Sequence, residues 1–245
     1  MTKQKRWTKI LEECKTQDSI SVNELVNLLN VSPATVRRDL QEMEDLKMIS
    51  RYHGGAKVDE SQYVEPSMII KSESNSEKKK RIAIEAARHI HDNQMIYIDA
   101  GTSTYEMIKY INAKNITIVT PGIPHISLLS EKGINTIVLG GIVRWSTQAI
   151  TGKQALKQLE EYYFDACFIG TNAVHDRIGF TTSNEMEAST KQLAISRSKT
   201  AYILADSSKF NKLCPVKFAQ LSDAIIISDE IHSFDLSLIK YITTN

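Results

Sequence analysis

Two short runs carry side chains whose types and order suit them to holding phosphates. In Ser32-Pro33-Ala34-Thr35-Val36-Arg37-Arg38 a hydroxyl, a proline and two adjacent guanidiniums follow one another. Ser32 fits a helix cap, accepting a backbone N–H one turn in, and Pro33 fits the first helical position. Thr35, Arg37 and Arg38 then project from the first turns, where a helix laid in a major groove meets base edges and phosphates. The second run, Asp99-Ala100-Gly101-Thr102-Ser103-Thr104, closes an apolar stretch and opens a helical one. It offers amides, hydroxyls and a helix N-terminus to an anion, while Asp99 can accept from sugar hydroxyls.

The elements needed to position the first run are legible around it. Trp7, Ile10, Leu11 and Cys14 are spaced as one helix face, giving a helix over about residues 4–16. Ser21-Val22-Asn23-Glu24 matches a capping box, and Leu25, Val26, Leu28 and Leu29 mark a short second helix. Asn30-Val31-Ser32 turns into the third helix, whose Val36, Leu40 and Met43 face a core. Residues 48–52 then alternate as a strand, His53-Gly54-Gly55 makes a turn, and residues 56–58 return. A hairpin there is a wing, and Arg51, His53 and Lys57 on it face a sugar-phosphate backbone. An ordinary surface helix with two solvated arginines is the competing reading of the decapeptide alone.

The second run belongs to a different pattern. Apolar segments at residues 95–98, 116–119, 136–139, 166–169, 201–204 and 224–227 alternate with helical stretches such as 152–163 and 184–197. That is the rhythm of βαβ units with strands buried on both faces. The segments end in polar loops: residues 99–104, Thr120-Pro121-Gly122, Gly140-Gly141, Gly170-Thr171-Asn172 and Asp206-Ser207-Ser208-Lys209. Such loops share the carboxyl edge of the sheet, where open α/β folds bind ligands. With Lys209 as a compensating cation they favour a phosphorylated small molecule. Between the two halves, residues 59–75 lack periodicity and read as a linker, and Glu77-Lys78-Lys79-Lys80-Arg81 reads as a solvated first helical turn.

Composition narrows the class. The 245-residue chain is 42% hydrophobic and 24% charged, with net charge +1. No apolar run approaches the roughly 18 residues of a membrane span, and the basic start leads into an amphipathic pattern. The expectation is a cytoplasmic protein with no membrane partner. Residues 1–58 carry ten Lys and Arg against eight Asp and Glu, a weak positive bias that permits DNA binding. Cys14, Cys167 and Cys214 form no CxxC, so neither zinc nor a disulfide framework is indicated, and no cofactor is expected.

Residues 31–40 followed by Arg51-Tyr52-His53-Gly54-Gly55-Ala56 resemble the N-terminal domain of DeoR-type bacterial transcriptional regulators. Residues 99–104, Leu139-Gly140-Gly141, Glu187-Ala188 with Lys191, and Asp206-Ser207-Ser208-Lys209-Phe210 resemble that family's sensor domain. The resemblance implies an α+β winged helix-turn-helix domain over 1–58 and a linker over 59–75. It implies an α/β domain with a mainly parallel sheet over 76–245, similar to phosphosugar isomerases. Operator DNA would be met by Ser32, Thr35, Arg37, Arg38, Arg51, His53 and Lys57. A phosphorylated sugar would be met by Asp99, Gly101, Thr102, Ser103, Thr104, Thr120, Gly140, Gly141, Gly152, Glu187, Lys191, Asp206 and Lys209. A homodimer or homotetramer is implied, acting as a regulator and not an enzyme.

Two positions depart from the family pattern. Pro121 stands where Asn is usual, removing a donor from that loop, and Ser103 replaces the commoner Thr. Residues 146–152, 179–182 and 205–209 look most like the fructose-operon repressors, which implies fructose 1-phosphate, with tagatose 6-phosphate its competitor. The rival class is an isomerase-like enzyme using Asp99, Glu187 and Lys209 as acid and base.

Overall fold

A computed structural model describes the chain except residues 18, 46–48, 53, 58–67, 233 and 245. The chain divides into two compact units, Met1–Ser74 and Asn75–Asn245. In the first, α1 (Lys3–Gln17) leads to β1 (Ile20–Ser21), α2 (Val22–Leu29) and α3 (Pro33–Asp45). There follow β2 (Ser50–Tyr52), β3 (Gly55–Lys57) and α4 (Met68–Glu73). The Ser21–Glu24 capping box starts α2, and Asn30 ends it in the left-handed conformation at φ 51°. Trp7, Ile10, Leu11, Cys14, Leu25, Leu29, Val36, Leu40, Met43 and Ala56 form the core, so the three helical stripes read from spacing meet.

Two features of this unit differ from the sequence expectation. The wing has a third strand, because Ile20 pairs with Ala56 on the far side of β3 from β2. A two-residue strand leaves no periodicity to read. The expected linker also ends in a helix: α4 packs on α1, and the boundary falls after Ser74. The expected ends of the hairpin, Met48 and Val58, lie outside the described residues.

The second unit runs α5 (Ser76–Ala87), β4 (Met95–Ile98), α6 (Thr102–Ile108), β5 (Thr117–Thr120), α7 (Ile123–Glu131) and β6 (Asn135–Val138). It continues with β7 (Ile142–Arg144), β8 (Ala149–Thr151), α8 (Lys153–Leu159), β9 (Phe164–Gly170), β10 (Ala173–His175) and β11 (Gly179–Thr182). It closes with α9 (Glu185–Ser196), β12 (Ser198–Leu204), β13 (Val216–Ala219), β14 (Ile225–Ser228) and β15 (Lys240–Thr243). A parallel sheet runs β15-β14-β12-β9-β4-β5-β6, flanked by an antiparallel β10-β11-β13 sheet and the β7-β8 hairpin. Residues alternate between its faces. Ile96, Ile98 and Ile118 pack with Ile82 and Met107, whereas Tyr97, Val119 and Cys167 pack with Leu159 and Ala188.

Strand order fixes where a ligand can sit. From β4 the chain progresses outward through β5 and β6, and from β9 it progresses the opposite way through β12, β14 and β15. The order reverses between β4 and β9, and such a switch point opens a crevice at the carboxyl ends of the strands. Asp99 follows β4 and Gly170 ends β9, so the two flank that crevice. Edge strand β15 was not expected, since Lys240-Tyr241-Ile242-Thr243 is half polar and exposed.

The charge run at the start of α5 is solvated only in part: Glu77, Lys80 and Arg81 are exposed. Lys79 is buried, and the ammonium of Lys78 and guanidinium of Arg81 lie 3.3 and 3.9 Å from the fully buried Asp229 carboxylate. A carboxylate without water needs cations and donors. The Ser207 backbone N–H supplies another at 2.7 Å.

Candidate functional site

On the first unit, the Thr35 N–H donates to Ser32 Oγ at 3.2 Å and the Val36 N–H to Ser32 O at 3.1 Å, so Ser32 caps α3. The Thr35 hydroxyl lies 2.9 Å from Ser32 Oγ. Arg37 and Arg38 are exposed, while Asp39 turns inward. There Asp39 Oδ2 lies 2.5 Å from Arg6 Nε, and Oδ1 accepts from Arg6 Nη2 at 3.0 Å and Trp7 Nε1 at 3.2 Å. Both carboxylate oxygens are therefore spent on tying α1 to α3, which sets the angle at which the arginine pair is presented. Asp39 carries no role in the sequence expectation; its signal is its phase, three residues after Val36 on the buried face.

The wing residues fare differently. Lys57 is exposed opposite Ser50. Arg51 folds back on α3, donating to Gln41 Oε1 and lying 3.7 Å from Glu44 Oε2, so contact with a phosphate requires exchanging those partners. His53 lies outside the described residues. Gly55 is more than a turn residue: a Cβ there would meet Ile20 O and Tyr52 Oη at 2.4 Å each.

At the switch point of the second unit, Asp99 and Lys191 meet in a buried ion pair. Asp99 Oδ2 also accepts the Gly170 N–H at 3.0 Å, and Lys191 Nζ donates to Gly170 O at 3.0 Å. The pair thereby stitches β4 to β9 from α9. One turn earlier, Glu187 Oε1 accepts Thr147 Oγ1 at 2.6 Å and lies 3.2 Å from Arg144 Nε. Glu187 and Lys191, four apart on one face, are thus buried and hold separate partners, unlike an exposed i,i+4 pair. Neither Thr147 nor Arg144 was anticipated.

The Gly101–Thr104 loop divides its labour. Thr104 is buried: its hydroxyl donates to Asp99 O at 2.6 Å and accepts the Gly101 N–H at 3.0 Å. Thr102 is half-buried and Ser103 just 9% exposed in the first turn of α6. His125 Nε2 lies 3.3 Å from Thr104 Oγ1, and its fully buried ring has a pKa lowered by burial to about 4. The imidazole is neutral, and since the Thr104 hydrogen is given to a carbonyl, the imidazole is the donor.

Several remaining loop residues shape the edge. Thr120 Oγ1 accepts the Gly122 N–H at 3.1 Å, and the Gly140 N–H donates to Gln158 Oε1 at 2.6 Å. Gly141 has φ 153° with Thr151 O at 2.5 Å from a Cβ position, and Gly152 has φ 98° at the start of α8. Asp206 caps a 3-10 turn, accepting Ser208 N–H at 3.0 Å and Asn75 Nδ2 at 3.2 Å, which directs it toward the start of α5. Lys209 is half-buried at the end of that turn. The carboxyl edge brings Asp99 and Lys191 together at the β4–β9 switch point, with Glu187 one turn along α9 from Lys191 and Asp206 occupied elsewhere on the edge. No helix of the described residues is long and apolar enough to cross a membrane.

Residues 6–62 match the DeoR-like helix-turn-helix domain and residues 74–230 match the DeoR C terminal sensor domain. The chain is 41% identical over 222 residues to an uncharacterized HTH-type transcriptional regulator, FruR, of Bacillus subtilis, spanning 90% of this chain and 88% of that one. It is 36% identical over 216 residues to a lactose phosphotransferase system repressor of Staphylococcus epidermidis, spanning 86% of each chain. Among solved structures, ribose 5-phosphate isomerase A from Methanocaldococcus jannaschii aligns at 16% identity and TM-score 0.41 over 56% of this chain and 55% of that one.

Proposed function

Because the chain belongs to the DeoR family of helix-turn-helix regulators, we propose that it represses a sugar-utilisation operon and responds to a phosphorylated sugar. The first unit binds double-stranded operator DNA, with Thr35 toward base edges and Arg37, Arg38 and Lys57 toward phosphates. The second unit takes the sugar phosphate in the β4–β9 crevice, as an oligomer of at least two chains. Fructose 1-phosphate is the effector to try first, and tagatose 6-phosphate second.

The observation that carries this reading is the buried Asp99–Lys191 pair at the switch point, with Glu187 one turn away on α9. A buried cation beside carboxylates is chemistry suited to telling phosphate from hydroxyls, which supports the reading. The same pair argues against catalysis. Asp99 Oδ2 already accepts the Lys191 ammonium and the Gly170 amide, so that oxygen is engaged in holding β4 to β9. Effector binding changes DNA affinity only to the extent that it prefers one of two arrangements of the protein.

The test is a thermal-shift series on the full chain with both ketose phosphates and inorganic phosphate, followed by operator release. A specific ligand at a hundred times its Kd stabilises by about 2.7 kcal/mol. Lys209→Ala is expected to lose the response while keeping operator binding. Arg38→Ala is expected to keep the thermal shift and weaken operator binding, with the salt slope falling by about one. Turnover of either ketose phosphate at enzymatic rates would overturn the regulator-only reading.

A further inference from the structure

The register of the three-stranded wing sorts its side chains between two faces. Ile20, Ala56 and Arg51 stand opposite one another across the strands, so their side chains share one face. That face is the inner one, because Ile20 is 2% exposed and Ala56 is fully buried in the core of the first unit. Arg51 leaves it by running along α3 to Gln41 and Glu44. The alternate set, Ser21, Gly55 and Tyr52 in one row and Ser50 with Lys57 in the next, therefore belongs to the outer face.

On that outer face Tyr52 is 43% exposed, an aromatic ring at the last position of β2. The ring is held in place. A Cβ on Gly55 would stand 2.4 Å from Tyr52 Oη and 2.5 Å from its Cζ, so the phenol end lies across the glycine. Gly55 is buried beneath it, whereas Lys57, two positions on, is exposed. Phenylalanine would cover the glycine equally well, so packing leaves the hydroxyl unexplained. Tyr52 and Lys57 are diagonal neighbours on one face, about 7–8 Å apart along the backbone.

We propose that Tyr52 contacts operator DNA, its hydroxyl donating to a backbone phosphate beside the one that Lys57 takes. The inference rests on the reading of the first unit as a DNA-binding domain, and it names the wing residues that share a face. Arg51 and Lys57 stand on opposite faces, whereas Tyr52 and Lys57 stand on the same one. Tyrosine hydroxyls are regular donors to phosphate oxygens, and the diagonal spacing suits successive phosphates of one strand. Because the ring is already lodged on Gly55, holding it against DNA costs little side-chain freedom. The phenol is neutral, so its contact adds affinity without releasing a counterion, unlike that of Lys57.

The probe is a duplex that the full wild-type chain selects from a random-sequence DNA pool. Tyr52→Phe keeps the ring on Gly55 and removes the donor alone. It is expected to weaken binding of that duplex about tenfold, as a lost hydrogen bond to a charged group does, with the thermal midpoint and the salt slope of wild type. Lys57→Ala is expected instead to flatten the salt slope by about one. In ethylation interference, one phosphate whose modification blocks wild type is expected to lose its effect in Tyr52→Phe. Wild-type affinity and an unaltered interference pattern in Tyr52→Phe would overturn the proposal and leave the DNA reading standing. Weaker binding together with a lower thermal midpoint would also overturn it, since the hydroxyl would then serve the fold of the wing. A wild-type chain that selects no duplex would overturn the DNA reading and the Tyr52 contact together.

Discussion

Asp39 and His125 are buried polar groups with opposite solutions to burial. Asp39 is matched by three donors, from Arg6 and Trp7. Asp39→Ala leaves a guanidinium and an indole N–H without an acceptor, an expected loss of about 3 kcal/mol in denaturant unfolding of the first unit. His125 instead gives up its charge, its pKa lowered by burial from 6.5 to about 4. Between those values the unfolded chain binds a proton that the folded chain does not, so stability rises with pH across the window. The contribution is complete above pH 6.5 and is lost as pH falls toward 4, about 3 kcal/mol in all. Thermal midpoints measured from pH 7 to pH 4 should fall more steeply for wild type than for His125→Leu.

Among the elements, the wing shows what spacing reveals and what it conceals. The β2–β3 hairpin was legible because a strand, a glycine turn and a return strand leave local marks. The two-residue β1 leaves none, and only tertiary pairing makes it a strand. Gly55 records that pairing, since a Cβ would sit 2.4 Å from Ile20 O. Gly54, at φ 97° with nothing within 4 Å, needs only its backbone freedom. Gly54→Ala should therefore cost about 1 kcal/mol from conformation alone. Gly55→Ala should cost more, up to about 3 kcal/mol from overpacking, and lower operator affinity with it. Thermal melts and operator titrations of the two variants give the comparison. The same logic explains the crevice. Asp99 and the Gly101–Thr104 loop stood out as a motif, whereas Thr147 and Arg144 are linked to Glu187 across forty positions of sequence and carry no local signature.

Over the whole molecule, each unit has its own core, with Trp7, Leu25 and Val36 in one and the two faces of the parallel sheet in the other. Calorimetry of the full chain with saturating sugar phosphate is expected to raise the transition of the second unit and leave that of the first in place. The alternation of strands and helices was readable because parallel strands buried on both faces are continuous apolar runs. Strand order was not readable, since any right-handed βαβ chain has the same local pattern whichever neighbour each strand chooses. The Lys78–Arg81–Asp229 cluster is the sharpest case: part of a run that looks like solvated charge is a clasp whose other half follows β14, about 150 residues later in the chain. That clasp has a consequence for synthesis. After Arg81 emerges, the ribosome must deliver roughly 150 more residues, on the order of ten seconds at about 5–20 residues per second, before Asp229 exists. Throughout that interval the first unit is complete and α5 waits with its cations unclasped, so translation finishes the helix-turn-helix unit well before the sheet that accompanies it can close.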